Sequence, residues 1–545
     1  MTMRKAALVI LAVVLLAAGC RRPQDAEEGL SIFKYNEAAG VVTLDPIYAK
    51  DLAHIWVCNQ AFNSLVAFDE KMDLVPMVAK SWDISEDGLT YIFHLRNDVR
   101  FHEDVCFAKP PDGEAQRTRR VTADDFVYSF NRVVDKKLNS PGLWIFSSVK
   151  HADGQYAFTA LDDTTLRIEL AQPFPPFLGI LSMTYASVVP HEAVDYYGDR
   201  FRSHPVGTGP FKFQYWKEGV KLVFRKNPDY FERDAEGHRL PYLDAVSVSF
   251  LIDKQVAFLE FIKGKFDFMS GIDARYKDEL LTYDGQLRQK YRDKINLITE
   301  PFLNTEYFSF YIDPNDSLGS DRSRALRQAV NLCIDREKML RYLRNGVGVP
   351  ATGGMIPVGL PGHSSTIGYG YDLRRAQHLV SEHHLEGRLL QLSTVAEYAD
   401  IGKFVQSQVA QIGLRCKMEV LPPATLRSLK ANGSLPFFRS SWVADYPDAE
   451  NYLSTFITAN FAPSGPNYTH YSNPKFDRLY AQAMRCNDEE ERSRHYTEMD
   501  SLMMQDAPVV VLFYDEVLRF VNKRVKGMGS NPTNLLDLRR VKMGK

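Results

Sequence analysis

The chain has 545 residues, of which 45% are hydrophobic and 25% are charged, and its formal net charge is −2. This length predicts several domains or one large fold built of lobes, since a single domain usually holds about 100–200 residues. The near balance of charges, with no long run of one sign, argues against a nucleic-acid partner, which would favour a basic face.

The N-terminus has the pattern of an export signal. Two basic residues precede an apolar run over residues 6–18, which is shorter than the roughly 20 apolar residues of a membrane helix. A cysteine directly after small residues resembles a bacterial lipoprotein signal, with residues 1–19 removed, Cys20 acylated and residues 20–30 serving as a polar tether. Plain cleavage, with Cys20 incidental, is the alternative. We therefore expect an exported protein, lipid-anchored at the cell membrane or outer membrane and facing the periplasm or the exterior.

Five cysteines follow Cys20, and none forms a CxxC pair. An odd count leaves at least one of them unpaired within the chain. The spacing typical of zinc ligands is absent from the sequence, and we expect neither a metal nor a cofactor.

Strands and helices are predicted throughout the mature chain, which indicates an α/β protein. Alternating apolar and polar residues predict the strands, and apolar residues at helical spacing predict the helices. Thr122 and Asp372 stand where two of the helices need an N-cap. The predicted elements are strands at 90–96 and 220–227 and helices over 121–134, 322–340 and 371–384.

Motifs of catalysis are lacking in the sequence. There is no GxSxG nucleophile elbow, no Walker A loop and no HExxH. The GTG at residues 207–209 is followed by proline and lacks the lysine of a phosphate loop, so it indicates a tight turn. We therefore expect a protein that is not an enzyme.

The segment WVADYPDAENYL, residues 442–453, places acids among aromatic residues. Such an acid has three interpretations. It could cap the turn around Pro447, act as a catalytic carboxylate, or serve as the counter-ion of a cationic ligand, with aromatic neighbours as apolar walls. The residues alone leave all three open.

Nine blocks follow one another along nearly the whole mature chain. They are TLDP at 43–46, the block from Leu74 to His102, VTADDFVYSFNR at 121–132, VGTGPFKF at 206–213, RKNPDYF at 225–231, ALRQAVNLCIDRE at 325–337, WVADYPD at 442–448, SNPKFDRL at 472–479 and DAPVVVLFY at 506–514. In this order they resemble the family 5 extracellular solute-binding proteins, the oligopeptide- and dipeptide-binding lipoproteins of ABC importers. Most blocks are interpreted as specifying turns and core packing, not ligand contacts.

The resemblance implies a bilobal α/β fold of the periplasmic-binding-protein (Venus-flytrap) type, with a hinged cleft and an additional α+β domain on the first lobe. Two chain crossings, near residues 301–304 and 514–515, would form the hinge. The implied division is lobe I at 31–63, 189–303 and 516–545, the additional domain at 64–188, and lobe II at 304–515.

The resemblance also implies the ligand site. In peptide-binding relatives an Asp of the ADY segment pairs with the peptide's α-ammonium group, and Asp445 matches it. A carboxylate would replace the hydration that an enclosed ammonium group loses, while main-chain contacts would hold an extended peptide as an added strand. Turn capping by Asp445 remains the alternative.

Arg439 matches a position where an oligopeptide-binding relative offers an arginine to the peptide carboxylate, a role that suits its two-pronged guanidinium group. An ordinary ion pair is the alternative. Trp442 and Tyr446 are expected to line the cleft, and a place in the core is the alternative for each. Asn304, Thr305 and Tyr307, just beyond the first crossing, and Tyr514, at the second, are expected at the cleft by position.

One departure from the family concerns a disulfide. Some oligopeptide-binding relatives carry a cysteine pair at places that here hold Asn304 and Val443. The bridge is absent from this sequence, which puts those relatives' preference for peptide length in doubt.

Three classes of function stay open. The first is the substrate-binding component of an importer, a monomer that captures peptides and delivers them to the permease subunits of an ABC transporter while anchored to the membrane by lipid. The second is the same fold binding an oligosaccharide, nickel or a metallophore, or haem. The third is a sensor or enzyme on this scaffold. Asp445 favours peptides over sugars, because sugars have no ammonium group.

Overall fold

The computed structural model describes residues 29–107, 117–271, 273 and 276–544. The predicted signal peptide, Cys20 and most of the tether lie outside the described residues. Within them, no helix combines the length and the apolar character needed to cross a membrane.

Strands and helices alternate along the described chain, which confirms the predicted α/β class. The strands are β1 Ile32–Asn36, β2 Val66–Phe68, β3 Leu74–Pro76, β4 Ala79–Ile84, β5 Thr90–Leu95, β6 His151–Ala152, β7 Gln155–Tyr156, β8 Phe158–Asp162, β9 Thr165–Glu169, β10 Phe211–Lys217, β11 Lys221–Lys226, β12 Ala245–Ser249, β13 Phe268–Ser270, β14 Ile295–Phe310, β15 Val349–Pro350, β16 Leu389–Thr394, β17 Arg415–Val420, β18 Phe437–Val443, β19 Val509–Asn522, β20 Val525–Lys526 and β21 Lys542–Met543. The α-helices are α1 Leu52–Ala61, α2 Ala123–Val134, α3 Phe177–Ile180, α4 His191–Tyr197, α5 Lys254–Ile262, α6 Lys277–Leu280, α7 Ser320–Leu332, α8 Arg336–Leu343, α9 Leu373–Glu382, α10 Ala399–Ala410, α11 Pro423–Ala431, α12 Glu450–Leu453, α13 Pro474–Ala483 and α14 Glu489–Asp506.

A mixed sheet of eleven strands runs through the described chain. Its order is β10-β11-β12-β1-β13-β19-β14-β18-β16-β17, and β15 pairs with β19. The two central strands, β14 and β19, are 16 and 14 residues long and antiparallel. Their register is interrupted between Pro301 and Thr305. The two predicted crossings fall at this irregularity, so β14 carries the chain from predicted lobe I into predicted lobe II, and β19 carries it back.

The predicted additional domain holds a second, antiparallel sheet in the order β4-β5-β9-β8. Strand β5 alternates between half-buried and buried residues, as its sequence pattern predicts. Helix α2 begins at a capping box, in which the Asp125 side chain accepts the Thr122 backbone N–H at 2.8 Å. The strand predicted at 90–96 and the helix predicted at 121–134 are therefore confirmed.

Three further predicted elements have different outcomes. The strand at 220–227 is confirmed as β11, and the helix at 371–384 is confirmed as α9, where Asp372 accepts the Arg375 backbone N–H at 2.9 Å. The single helix predicted over 322–340 is wrong. The chain forms two helices instead: α7 ends at Leu332, and Asp335 caps the start of α8 by accepting the Lys338 backbone N–H at 3.0 Å.

The structure explains why glycine stands at both ends of the GTG segment, residues 207–209. A Cβ atom on Gly207 would lie 2.1 Å from the carbonyl oxygen of Ala61, and one on Gly209 would lie 2.5 Å from that residue's carbonyl carbon. The glycines therefore let this segment approach the C-terminal end of α1 at backbone distance. Ala61, which this segment approaches, is part of the large apolar cluster that extends through predicted lobe I and the predicted additional domain.

The five described cysteines are free thiols. Asn304 and Val443, which stand where some relatives carry a disulfide, are direct partners in the β14–β18 ladder. The two positions are therefore adjacent in this fold as well, and they are joined by strand pairing.

Candidate ligand-binding site

A cavity of about 340 Å³ lies between the two predicted lobes. Its walls combine predicted lobe I, the additional domain, the first crossing and the loop after β18. The lining residues fall within 49–64, 67–77, 182–187, 302–303, 443–447 and 531–535, together with Trp144. A ligand in this cavity would contact both lobes and the additional domain.

Asp445 lies in the loop after β18 and lines the cavity. Its side chain is open to the cavity, and within the described residues it forms no ion pair. Partial burial by the cavity walls raises the pKa of Asp445, and the side chain of Asn451 opposes this rise. The site therefore offers an acceptor that would gain from a cationic partner.

The loop around Asp445 is held by other residues. The side-chain oxygen of Asn451 accepts hydrogen bonds from Trp442 Nε1 at 2.8 Å and from the Asp445 backbone N–H at 3.2 Å. Asp448 accepts the Glu450 backbone N–H at 2.8 Å, just before α12. Asn451 and Asp448 thus stabilise the turn, and the Asp445 carboxylate is left facing the cavity.

Tyr446 turns away from the cavity into a buried cluster. Its hydroxyl donates a hydrogen bond to Glu450, which also accepts one from the Tyr480 hydroxyl at 2.5 Å. Burial raises the pKa of Glu450 to about 7, although both phenols oppose this rise. The Tyr446 ring lies 6.0 Å from the ring of Trp144, so it connects the loop to the additional domain.

Arg439 lies on β18 and outside the cavity lining. Its Nη2 donates to both carboxylate oxygens of Glu306, at 2.8 and 2.9 Å, and its guanidinium carbon lies 3.9 Å from the ring centroid of Tyr398. Glu306 is 3% exposed. The arrangement therefore gives Arg439 an internal carboxylate partner, and its role toward a ligand stays a prediction.

The other residues expected at the cleft by position are packed inside predicted lobe II. Thr305 Oγ1 donates to the carbonyl oxygen of Met355 at 2.9 Å, and the Tyr514 hydroxyl donates to that of Gly354 at 2.8 Å. Asn304 and Tyr307 are also buried. The structure does not bring these four residues to the cavity with Asp445, and their contact with a ligand stays a prediction. Trp442 is half-buried and holds the loop through Asn451.

Sequence reasoning missed three residues of the cavity wall. Trp144 and Tyr185 come from the additional domain, and Lys50 comes from the segment before α1. Burial raises the pKa of Tyr185 to about 12, and the negative charge of Asp445 adds to this rise, so the two side chains lie within electrostatic reach. No local sequence signal marks these three residues, because tertiary packing alone brings them beside Asp445.

Charge in the cavity is predominantly negative. The lining includes three acids, Asp51, Asp69 and Asp445, against one lysine, Lys50. A second cavity of about 310 Å³ lies between the predicted additional domain and predicted lobe II; Pro447 lines it, and Asp445 does not. The first cavity is therefore the candidate ligand site, and the sign of its charge favours a cationic group.

One group within the described residues has side-chain geometry suited to a metal ion, formed by Asp234, Glu236 and His238. It lies outside both cavities. Asp234 is already the acceptor of the Glu236 and His238 backbone N–H groups at 2.9 and 2.8 Å, so the group forms a turn.

Comparison with known proteins agrees with this architecture. The model of the bacterial extracellular solute-binding proteins, family 5 middle region, matches residues 73–463. The dipeptide-binding protein of Escherichia coli is 25% identical over 493 residues, which cover 86% of each chain. Heme-binding protein A of Haemophilus influenzae is 25% identical over 562 residues, which cover 97% of each. The structure of HbpA2 from Haemophilus parasuis has a TM-score of 0.82 at 23% identity, covers 94% of this chain and is itself covered completely. The likeness confirms the predicted bilobal fold.

Proposed function

Because the chain belongs to family 5 of the bacterial extracellular solute-binding proteins, we propose that it binds peptides in an extended conformation between its lobes and delivers them to the permease of an ABC importer. The proposal assigns it no catalysis. The ligand would leave the protein chemically unchanged.

The observation that carries the proposal is that the Asp445 carboxylate lines the cavity without a cationic partner among the described residues. The pKa of Asp445 is also raised, because its surroundings are partly desolvated. A peptide ammonium group would supply the missing charge and hydrogen-bond donors. The negative balance of the cavity supports the same ligand, and one similar protein bears the name dipeptide-binding protein.

Haem is the second candidate, because another similar protein bears the name heme-binding protein A. Trp144, Phe62 and Phe68 in the wall would suit a flat apolar ligand. The acids of the cavity oppose it, since the carboxylates of haem would meet charges of their own sign. Native mass spectrometry of the purified protein separates the two candidates, because a series of peptide masses supports the first and a single haem adduct supports the second.

The substitution Asp445→Asn tests the proposed ammonium contact. It keeps the size and shape of the side chain but removes its charge, so an ammonium group in the closed cleft would lose its counter-ion at a cost of about 2–5 kcal/mol. Because about 1.4 kcal/mol corresponds to a tenfold change in affinity, peptide binding should weaken by roughly thirty- to several-thousand-fold. Isothermal titration calorimetry of free and N-acetylated peptide with wild-type protein and with Asp445→Asn measures the change in affinity.

Two controls sharpen the test. Asp400→Asn removes an exposed acid of predicted lobe II that pairs with Lys403 on the surface, and it should leave binding unchanged. Wild-type protein should bind N-acetylated peptide poorly, and Asp445→Asn should distinguish the two peptides much less. Equal binding of acetylated and free peptide by wild-type protein would refute an ammonium site at Asp445.

A further inference from the structure

The acidic residues of the cavity wall differ in the hydrogen bonds that they already form within the protein. Asp51 caps α1 by accepting the His54 backbone N–H at 3.2 Å, and it contacts His54 Nδ1 at 2.6 Å. Asp69 accepts the backbone N–H groups of Lys71 and Asp73 at 2.8 and 2.9 Å. Two of the three acids therefore have structural partners, and Asp445 is the acid left for a ligand.

Lys50 is the counterpart of Asp445 on the other lobe. Among the described residues that line the cavity, it carries the one positive charge. Lys50 is exposed, and its ammonium group forms no ion pair with a described residue, Asp445 included. Asp51, its neighbour in sequence, is occupied by the start of α1. Among the described residues, the cavity thus presents one carboxylate without a cationic partner, from predicted lobe II, and one ammonium group without an anionic partner, from predicted lobe I.

The alternative cation, Arg439, is placed differently. It does not line the cavity, and its guanidinium group is held between Glu306 and the ring of Tyr398. Releasing it toward a ligand would leave Glu306 buried and unpaired, which is costly because a buried charge needs a partner. Lys50 lines the cavity and has no ion pair among the described residues that a ligand would have to break.

We propose that Lys50 binds the C-terminal carboxylate of the ligand while Asp445 binds its ammonium group, so that the ligand class is short zwitterionic peptides. This inference rests on the proposed function. The cavity volume of about 340 Å³ lies near the lower end of the range for small-molecule sites, about 300–1,000 Å³, and therefore suits peptides of a few residues. Blocking either end of the peptide removes one of two charge contacts, each made by a different lobe.

A pool of dipeptides and tripeptides with uncharged side chains, prepared as free acids, as C-terminal amides and as N-acetylated acids, tests the assignment. Native mass spectrometry finds the members that wild-type protein retains, and titration calorimetry then measures their affinities for wild type, Lys50→Gln, Lys50→Arg and Lys217→Gln. Lys217 is an exposed lysine of predicted lobe I outside both cavities, so its variant is the matched control.

Wild-type protein should bind the free acid about 10- to 100-fold more tightly than the amide, as expected for hydrogen bonds to a charged group. Lys50→Gln should lower the affinity for the acid to that for the amide. Lys50→Arg and Lys217→Gln should keep the wild-type ratio.

Three results would overturn the assignment. Equal affinity of wild type for acid and amide, with weak binding of the acetylated acid, refutes the carboxylate contact and leaves the proposed function standing. An unchanged ratio in Lys50→Gln places the carboxylate contact elsewhere, with Arg439 the next candidate. Retention of no member of the pool refutes the proposed peptide ligand and the role of Lys50 together.

Discussion

Substituting Gly142 by alanine tests whether the additional domain shapes the ligand site. Gly142 precedes the short turn that carries Trp144, and both Trp144 and Tyr185 line the cavity. A Cβ atom on Gly142 would lie 2.6 Å from Cγ and Cδ1 of Tyr185 and 3.0 Å from its Cβ. Cβ of Tyr185 keeps its place when the side chain changes rotamer, and Tyr185 is 7% exposed, so a change of rotamer leaves at least the 3.0 Å contact.

The expected effect of Gly142→Ala is crowding without backbone strain. The φ angle of Gly142 is −84°, which alanine adopts readily. Overpacking by one methyl group costs about 1–3 kcal/mol. For a cooperative unit of about 150–250 residues this lowers the melting temperature by roughly 2–12 °C. Peptide affinity should fall as well, because Tyr185 and the turn of Trp144 must separate.

Scanning calorimetry and peptide titration measure the two effects. The matched control is Gly370→Ala, since a Cβ atom on Gly370 meets nothing within 4 Å and the residue has no positive φ. It should melt and bind like wild type. If Gly142→Ala also melts and binds like wild type, the close contact between this turn and Tyr185 is refuted, together with the claim that it shapes the cavity.

Two further predictions concern a buried acid and the anchor. Because burial raises the pKa of Glu450 from its ordinary value of 4.5 to about 7, the folded state holds its proton more tightly than the unfolded state, so its contribution to stability declines as the pH rises from about 4.5 to 7. The melting temperature of Glu450→Gln relative to wild type should therefore rise between pH 5 and pH 8, and a constant difference in calorimetric scans would contradict the raised pKa. Cys20→Ala should move the protein from the membrane fraction to the soluble fraction with ligand binding intact, because acyl chains would be its anchor. Retention of the variant on membranes washed in high salt would disprove that assignment.

Local elements could be predicted from the sequence where the signal is itself local. Helix α2 begins where Thr122 and Asp125 can cap each other, and α9 begins after Asp372, so three or four neighbouring residues suffice. The break between α7 and α8 was missed because apolar spacing continues across it. Asp335 caps the second helix there, and an N-cap inside a periodic run is easily read as one more polar residue of a single helix.

The ligand site was predictable only in part. Asp445 stands in a recognisable segment, whereas the partner of Arg439, Glu306, is 133 residues away and is brought near by the pairing of β14 with β18. Lys50 and Trp144 have no distinguishing neighbours in sequence. They become candidate site residues because α1 and the additional domain deliver them to the same cavity, and that convergence depends on packing between distant parts of the chain.

The proposed ligand contacts of Lys50 and Asp445, which lie in opposite predicted lobes, would give closure of the cleft a physical basis. In an open cleft both charges are hydrated, and neither requires a partner. Closing the empty cleft would desolvate an ammonium group and a carboxylate that remain unpaired, which is unfavourable. Under the proposed roles of Lys50 and Asp445, a zwitterionic peptide would supply both missing partners, so it would stabilise the closed form over the open one. A ligand with one blocked end leaves one of the charges desolvated and unpaired, so it should shift this equilibrium much less than the free peptide does.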